Sequence, residues 1–185
     1  MRRDSSATDR RWRGPVSDLV TVLDGLGHEL EDLMEGEDRF LKVLPPGPVP
    51  VGLSEEETEQ IVLALVTRLR RCIEDGGWML AAVEQVTLKE AEAVPLGLEA
   101  GEYAMLRVAV RFEASGRTSP LVRLAAAAVD SMDGGLGGRA LSSLAARHAG
   151  AVQIGAVPGA GITATVFLRS PSGSGRERVA GASAR

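Results

Sequence analysis

The chain has 185 residues, 44% of them apolar and 3% aromatic, with a formal net charge of −4. This suits one globular domain with a core of Leu, Val, Ile and Ala plus polar tails, and it argues against binding nucleic acid by base stacking or by a strong positive field. One cysteine, Cys72, excludes an internal disulfide and a cysteine-built metal site, and having only two histidines, His28 and His148, argues against a multi-histidine one.

Residues 1–14 are polar and carry Arg2, Arg3, Arg10, Arg11 and Arg13, which reads as a disordered basic arm. The arm lacks the apolar segment of a signal peptide, and no apolar run in the chain reaches the roughly 18 residues that cross a bilayer. A cytoplasmic protein without membrane contact is the expectation. Residues 15–170 form the predicted domain, and 171–185, rich in Gly, Ser and Arg, read as a flexible tail.

Within the domain, Pro15 suits a first helical turn. Leu19, Val22, Leu23, Leu26, Leu30, Leu33 and Met34 follow at helical spacing, predicting one helix through Glu35 that Gly25 and Gly27 weaken by about 1 kcal/mol each. A short strand is expected over Phe40–Leu44. Pro45-Pro46-Gly47-Pro48-Val49-Pro50 then reads as a stiff connector. Ser54-Glu55-Glu56-Glu57 is a helix start: Ser54 caps, Glu57 completes a capping box, and the acids suit the positive helix end. Ile61, Val62, Leu65, Val66, Leu69, Cys72 and Ile73 continue that helix as an apolar stripe to about Glu74, where Asp75-Gly76-Gly77 ends it.

Two strands, Trp78–Leu88 and Tyr103–Glu113, are predicted around a loop with Pro95, Gly97 and Gly101. The second alternates, with Ala104, Leu106, Val108, Val110 and Phe112 on one face and Arg107, Arg111 and Glu113 on the other. Ser119-Pro120 opens an Ala-rich helix, Leu121 to about Met132. Gly134, Gly135, Gly137 and Gly138 cluster before a further helix carrying Ala140, Leu141, Leu144, Ala145 and His148, with Gly150 as its C-cap. Ala151–Val157, the turn Pro158-Gly159-Ala160-Gly161 and Ile162–Leu168 read as a closing hairpin.

The run from Gly134 to Leu168 resembles the C-terminal part of the ATP-binding domain of sensor histidine kinases, in the GHKL ATPase superfamily. There a glycine box, G-x-G-L-G-L, opens a helix, and a GG dipeptide, a strand, an S-E-P-G-x-G-T turn and a last strand follow. Gly135-Leu136-Gly137 matches the box core, Ala149-Gly150 the GG, and Pro158-Gly159-Ala160-Gly161 the turn. Asp133 stands at the first box glycine and Gly138 at the final Leu. Gln60–Arg71 resembles the family's N-box helix, Q-V-L-x-N-L-x-x-N-A-x-x-A, in its apolar skeleton, but the two asparagines fall at Ala64 and Arg68. On the strand that ends in D-x-G-x-G, the adenine-binding Asp falls at Val110 and the glycines at Phe112 and Ala114.

The resemblance covers roughly Pro15 to Leu168. It implies an α+β fold: a two-layer α/β sandwich, the Bergerat-type ATPase fold, with helices on one face of a mixed, mostly antiparallel sheet. It also implies a degenerate nucleotide site. Magnesium takes hard oxygen ligands; Ala64 offers none, and Arg68 puts a cation where the ion would sit. Glu57 and Glu59 remain as substitute ligands or as capping charges. Gly135, Leu136 and Gly137 are the residues expected to keep residual nucleotide or anion binding at a helix N-terminus. Arg68 joins them if it replaces the metal charge at a phosphate, the other reading being that Arg68, Arg70 and Arg71 form a solvated basic face. No residue is assigned a catalytic role, no metal ligand is assigned, ATP or ADP is the one candidate cofactor, and Mg²⁺ is not expected.

His28, in Gly27-His28-Glu29-Leu30, resembles the phospho-accepting box of histidine kinases only as a tetrapeptide. That box leads into a second long helix, whereas here Gly36-Glu37-Asp38 and a strand follow. The expected function is therefore a histidine-kinase-like ATPase domain serving two-component-type signalling as a binding or scaffold module, a pseudokinase rather than an enzyme. Its partner would be a signalling protein, a kinase or response-regulator-like chain, or a second copy paired through the first helix. The alternatives are an ATP-binding kinase or ATPase with a rearranged site, and a histidine phosphotransferase-like protein.

Overall fold

The computed structural model describes residues 14–34, 39–73, 77–111, 136–157 and 161–171. The predicted helix 121–132 and the glycine cluster at 134 and 135 lie outside them, as do most of the arm and the tail. The elements in chain order are β1 (Ser17–Asp18), α1 (Leu19–Gly25), α2 (Gly27–Asp32), β2 (Arg39–Val43), β3 (Pro50–Val51), α3 (Glu55–Arg70) and β4 (Trp78–Leu88). After these come α4 (Glu90–Ala93), a 3₁₀ turn (Val94–Leu96), β5 (Gly101–Arg111), α5 (Leu136–Arg147), β6 (Ala151–Val157) and β7 (Gly161–Arg169). Among the described residues no helix is long and apolar enough to cross a membrane.

One five-stranded sheet runs in the order β2-β4-β5-β7-β6, and β1 and β3 form a two-residue pair beside it. β2 lies parallel to β4, with α3 in the crossover between them, and the other pairings in the large sheet are antiparallel. The fold is thus α+β, with a mixed, mostly antiparallel sheet, as the resemblance implies. Helices α1, α2, α3 and α5 sit on one face. Their apolar stripes meet Met79, Ala81 and Val83 of β4, Leu106, Val108 and Val110 of β5, and Ile162, Ala164, Val166 and Leu168 of β7 in a single core. Leu19, Leu23 and Leu30 from α1 and α2, and Ile61, Leu65 and Leu69 from α3, are fully buried there.

The first helix departs from expectation. It starts at an Asp18 N-cap, not at Pro15, and it divides at Leu26 into α1 and α2. Flanking Gly25 and Gly27 lower the cost of leaving helical geometry at that point. Leu19, Leu23, Leu26 and Leu30 all face the core across the break. Asp18 also fixes the chain that returns from the proline connector: its Oδ1 accepts from the N–H groups of Val49 (2.7 Å) and Val20 (3.2 Å), and its Oδ2 from Thr21 Oγ1 (2.6 Å). Burial alone would raise this carboxyl's pKa, but those hydrogen bonds outweigh it and hold it below the ordinary aspartate value.

A second difference lies on the outer sheet face. At the start of β5 both faces are apolar: Ala104 and Leu106 point to the main core, whereas Tyr103 and Met105 join Phe167 in a second buried cluster. Val86, Leu88, Leu96 and Leu98 pack on that cluster, so the β4–β5 connection, read in sequence as a loop, is a folded cover. Tyr103 Oη donates to the Glu99 carbonyl (2.8 Å), which closes the cover over the ring.

The end of α5 also differs. Gly150 N–H bonds to the Ala145 carbonyl (2.9 Å) and Ala149 N–H to the Ala146 carbonyl (3.1 Å), the paired bonds of a Schellman cap. The residue that takes the left-handed conformation is Ala149 (φ 53°), not Gly150. Gly150 is required for another reason: a Cβ there would collide with the Phe167 carbonyl. Since an L-residue in that conformation costs about 1–2 kcal/mol, Ala149→Gly is expected to stabilise the protein by about 1 kcal/mol. A thermal melt unchanged or lowered by that substitution would contradict the assignment.

Candidate functional site

The capping box predicted at Ser54 is present. Glu57 N–H donates to Ser54 Oγ (3.3 Å), while Ser54 N–H (3.0 Å) and Ser54 Oγ (2.9 Å) both donate to Glu57 Oε2. The other carboxylate oxygen, Oε1, lies 3.3 Å from His148 Nε2, just past the end of α5. The first turn of α3 therefore meets the last turn of α5, and the two helices run in opposing directions along their contact. Glu57 is thereby committed to the cap and to His148, at the end of α3 remote from Arg68.

The hydrogen bonds from Ser54 hold the Glu57 carboxyl below the ordinary glutamate value; burial opposes them, and His148 and Arg147 add to them. A carboxyl depressed by folding stabilises fully above its unfolded pKa of about 4.3, and that contribution is lost as pH falls through the lower folded value. Melting temperature is accordingly expected to fall on acidification below about pH 4.3, with a smaller acid loss in Glu57→Gln. Equal acid sensitivity of the two proteins would remove Glu57 from that role.

The C-terminal end of α3, the start of β4, the C-terminal end of β5 and the start of β7 lie together at the opposite end of the domain, since Trp78 pairs with Arg111 and Val110 with Ile162. The start of α5, with Leu136 and Gly137, is directed to this end by the opposed α3–α5 packing. Arg68 is half-buried on the last turns of α3, close enough to Cys72 that its charge partly offsets the rise that burial imposes on that thiol. Arg70 is not a solvated cation. Its Nε donates to the Leu33 carbonyl (3.1 Å) and its Nη1 to the Ile73 carbonyl (3.3 Å), tying α3 to the end of α2. Gly135 lies outside the described residues.

Val110, where the resemblance puts the adenine-binding Asp, is 1% exposed and pairs with Met79 on one side and Ile162 on the other, inside the main core. At the two positions where the resemblance puts the N-box asparagines, Ala64 is exposed and offers a methyl group, and Arg68 carries a guanidinium. This donor set does not fit Mg²⁺, which needs oxygen ligands. Among the described residues no group of three or more His, Cys, Asp and Glu side chains is placed to hold a metal. His28 is exposed on α2, a helix of six residues.

Sequence reasoning missed the Glu57–His148 contact, for which the one signal was an acid in a capping box. It also missed Trp78, whose ring lies 5.4 Å under the Arg111 guanidinium at this same end.

The fold defined by this sheet order and helix layer is that of histidine kinase ATP-binding domains. The mycobacterial sensor histidine kinase MprB superposes with a TM-score of 0.55 at 16% identity over 84% of this chain and 99% of that one. The Acinetobacter baumannii histidine kinase AdeS gives 0.55 at 16% identity (86% and 69% covered), and the catalytic domain of the histidine kinase ThkA gives 0.52 at 10% identity (84% and 95% covered). No protein-family model matches the sequence, and no curated protein matches it.

Proposed function

We propose that this chain is a binding or scaffold module of two-component-type signalling in which the nucleotide site has been weakened or lost, leaving docking to a kinase or response-regulator-like partner as its activity. The observation that carries this reading is Val110. A valine built into the core between Met79 and Ile162 cannot accept a hydrogen bond from an adenine amino group, and its burial leaves no room for a base at that point. Ala64 and Arg68 support it from the metal side.

The alternative, a nucleotide-binding domain with a rearranged site, draws on Arg68 and the start of α5 lying toward the same end of the domain, where the backbone N–H groups of Leu136 and Gly137 would face a phosphate. Calorimetry with ATP and ADP, with and without Mg²⁺, separates the two. No heat at millimolar nucleotide is the expected result. Mg²⁺-dependent binding that Gly135→Val or Gly137→Val abolishes would overturn the proposal.

A further inference from the structure

The outer face of the sheet is covered at only one end of its strands among the described residues. Where β4 ends and β5 begins, Leu96 of the 3₁₀ turn and Leu98 close over Tyr103, Met105 and Phe167. Toward the Trp78–Arg111 end and across to β2, the same face continues without a cover among the described residues. Leu41 and Val43 on the edge strand are 48% and 55% exposed, two of the four large apolar side chains that stand so far into solvent among the described residues. Register sets Leu41 beside Leu80 and Arg39 beside Trp78, and sets Trp78 beside Arg111. The result is a contiguous apolar surface of Leu41, Val43, Trp78, Leu80 and Ala82 across β2 and β4, bordered on β5 by Arg107, Ala109 and Arg111.

Its rim is cationic. Arg39, Arg107 and Arg111 are all exposed on this face, and none of them forms an ion pair among the described residues. Among the described strand residues, Glu84, beside Met105, is the acid on this face, and it lies at the covered end, as do Glu90, Glu92 and Glu99 of the β4–β5 connection. In a chain of net charge −4 this is a local inversion of sign. Apolar centre, tryptophan and arginine rim are the composition of a protein-docking surface, where these two residue types carry most of the binding energy.

We propose that this surface docks an amphipathic helix of a partner protein, one whose apolar stripe is flanked by acidic residues. A helix is the occupant because a sheet face buries its apolar side chains against helices, as the opposite face of this sheet does throughout. Acidic flanks are specified by the three arginines. A second copy of the chain is disfavoured. β2–β2 pairing at the sheet edge would bring together the exposed Glu29, Glu31 and Asp32 of α2, which packs beside β2. The surface lies on the face opposite α3 and α5, so the proposal holds whether or not nucleotide binds, and the two experiments fail separately.

Trp78 provides the readout. In the full chain carrying Trp12→Phe, Trp78 is the sole tryptophan. The probes are an 18-residue helical peptide with a leucine stripe flanked by glutamates and its counterpart flanked by lysines. The glutamate peptide is expected to shift Trp78 emission to the blue and saturate. The lysine peptide is expected to bind at least tenfold more weakly. Raised salt, and separately the surface double variant Arg39→Glu/Arg107→Glu, are each expected to weaken the glutamate peptide at least tenfold. The proposal is overturned if neither peptide binds, if both bind alike, or if binding ignores salt and the arginines. It is also overturned if light scattering shows a dimer that Leu41→Glu dissolves, or if phosphatidylserine vesicles shift Trp78 where the glutamate peptide does not.

Discussion

Replacing Gly161 by alanine is expected to destabilise the protein by about 3–5 kcal/mol, a fall in melting temperature of roughly 10 °C for a chain of this size. Gly161 opens β7 with φ 118°, where side chains are strained whatever the space around them. Space is absent too. An added Cβ would fall inside the Val110 carbonyl oxygen and approach the Arg111 Cα to 3.2 Å. These atoms belong to the β5 backbone, so no side chain can swing aside. The loss would be shared between bending the end of β5 and opening the β5–β7 register at Val110↔Ile162. Gly155→Ala on the neighbouring strand β6 is the control, since a Cβ there meets nothing within 4 Å, and it is expected to change stability by under about 0.5 kcal/mol. Calorimetric melts in which both variants behave alike would show that β7 does not depend on this close approach.

The second large effect is at Val110. Val110→Asp would place the carboxylate that the resemblance calls for into a fully apolar setting between Met79 and Ile162. An unpaired buried charge costs several kcal/mol or is neutralised by protonation. The expected result is loss of about 3–5 kcal/mol at neutral pH, partly recovered on acidification as the carboxyl becomes neutral, and no gain of nucleotide affinity. Val110→Ala, which removes two methyl groups without adding charge, is expected to cost about 2–3 kcal/mol with no such pH dependence. A well-folded Val110→Asp protein that binds ATP would mean that the adenine pocket is latent in this chain, and it would reverse the proposed function.

The sequence disclosed most where one physical rule acted alone. The Ser54–Glu57 box was readable because a cap is local: donor and acceptor are three residues apart and need nothing from the rest of the fold. β4 was readable from end to end, bounded as it is by glycines before Trp78 and a charged run after Leu88. On β5 the period-two rule found Ala104, Leu106, Val108 and Val110 but could not find Tyr103 and Met105, because a run apolar on both faces carries no alternation to read. The division at Leu26 and the left-handed Ala149 depend on what the neighbouring turns pack against, so local propensity ranked them wrongly: it kept the helix intact and gave the cap to Gly150. For the candidate site, motif spacing gave the positions at which the resemblance implies a departure from the family pattern. It could not show that Val110 is sealed in the core, that Arg70 is held by the Leu33 carbonyl, or that Glu57 is engaged by His148, since each of these contacts joins segments far apart in the chain.

The pairing order of the sheet also has a kinetic side. β4 with β5, and β6 with β7, are neighbours in sequence and close short loops. β5 with β7 joins strands separated by α5 and the whole 112–135 segment, and β2 with β4 must wait for α3 to cross over. Long closures carry the larger entropy cost before any contact repays it. The two hairpins are therefore expected to assemble early and the seam between β5 and β7 late. Gly161, at the mouth of that seam, then sits where the last large step of folding completes, so its substitution is expected to accelerate unfolding far more than it slows folding.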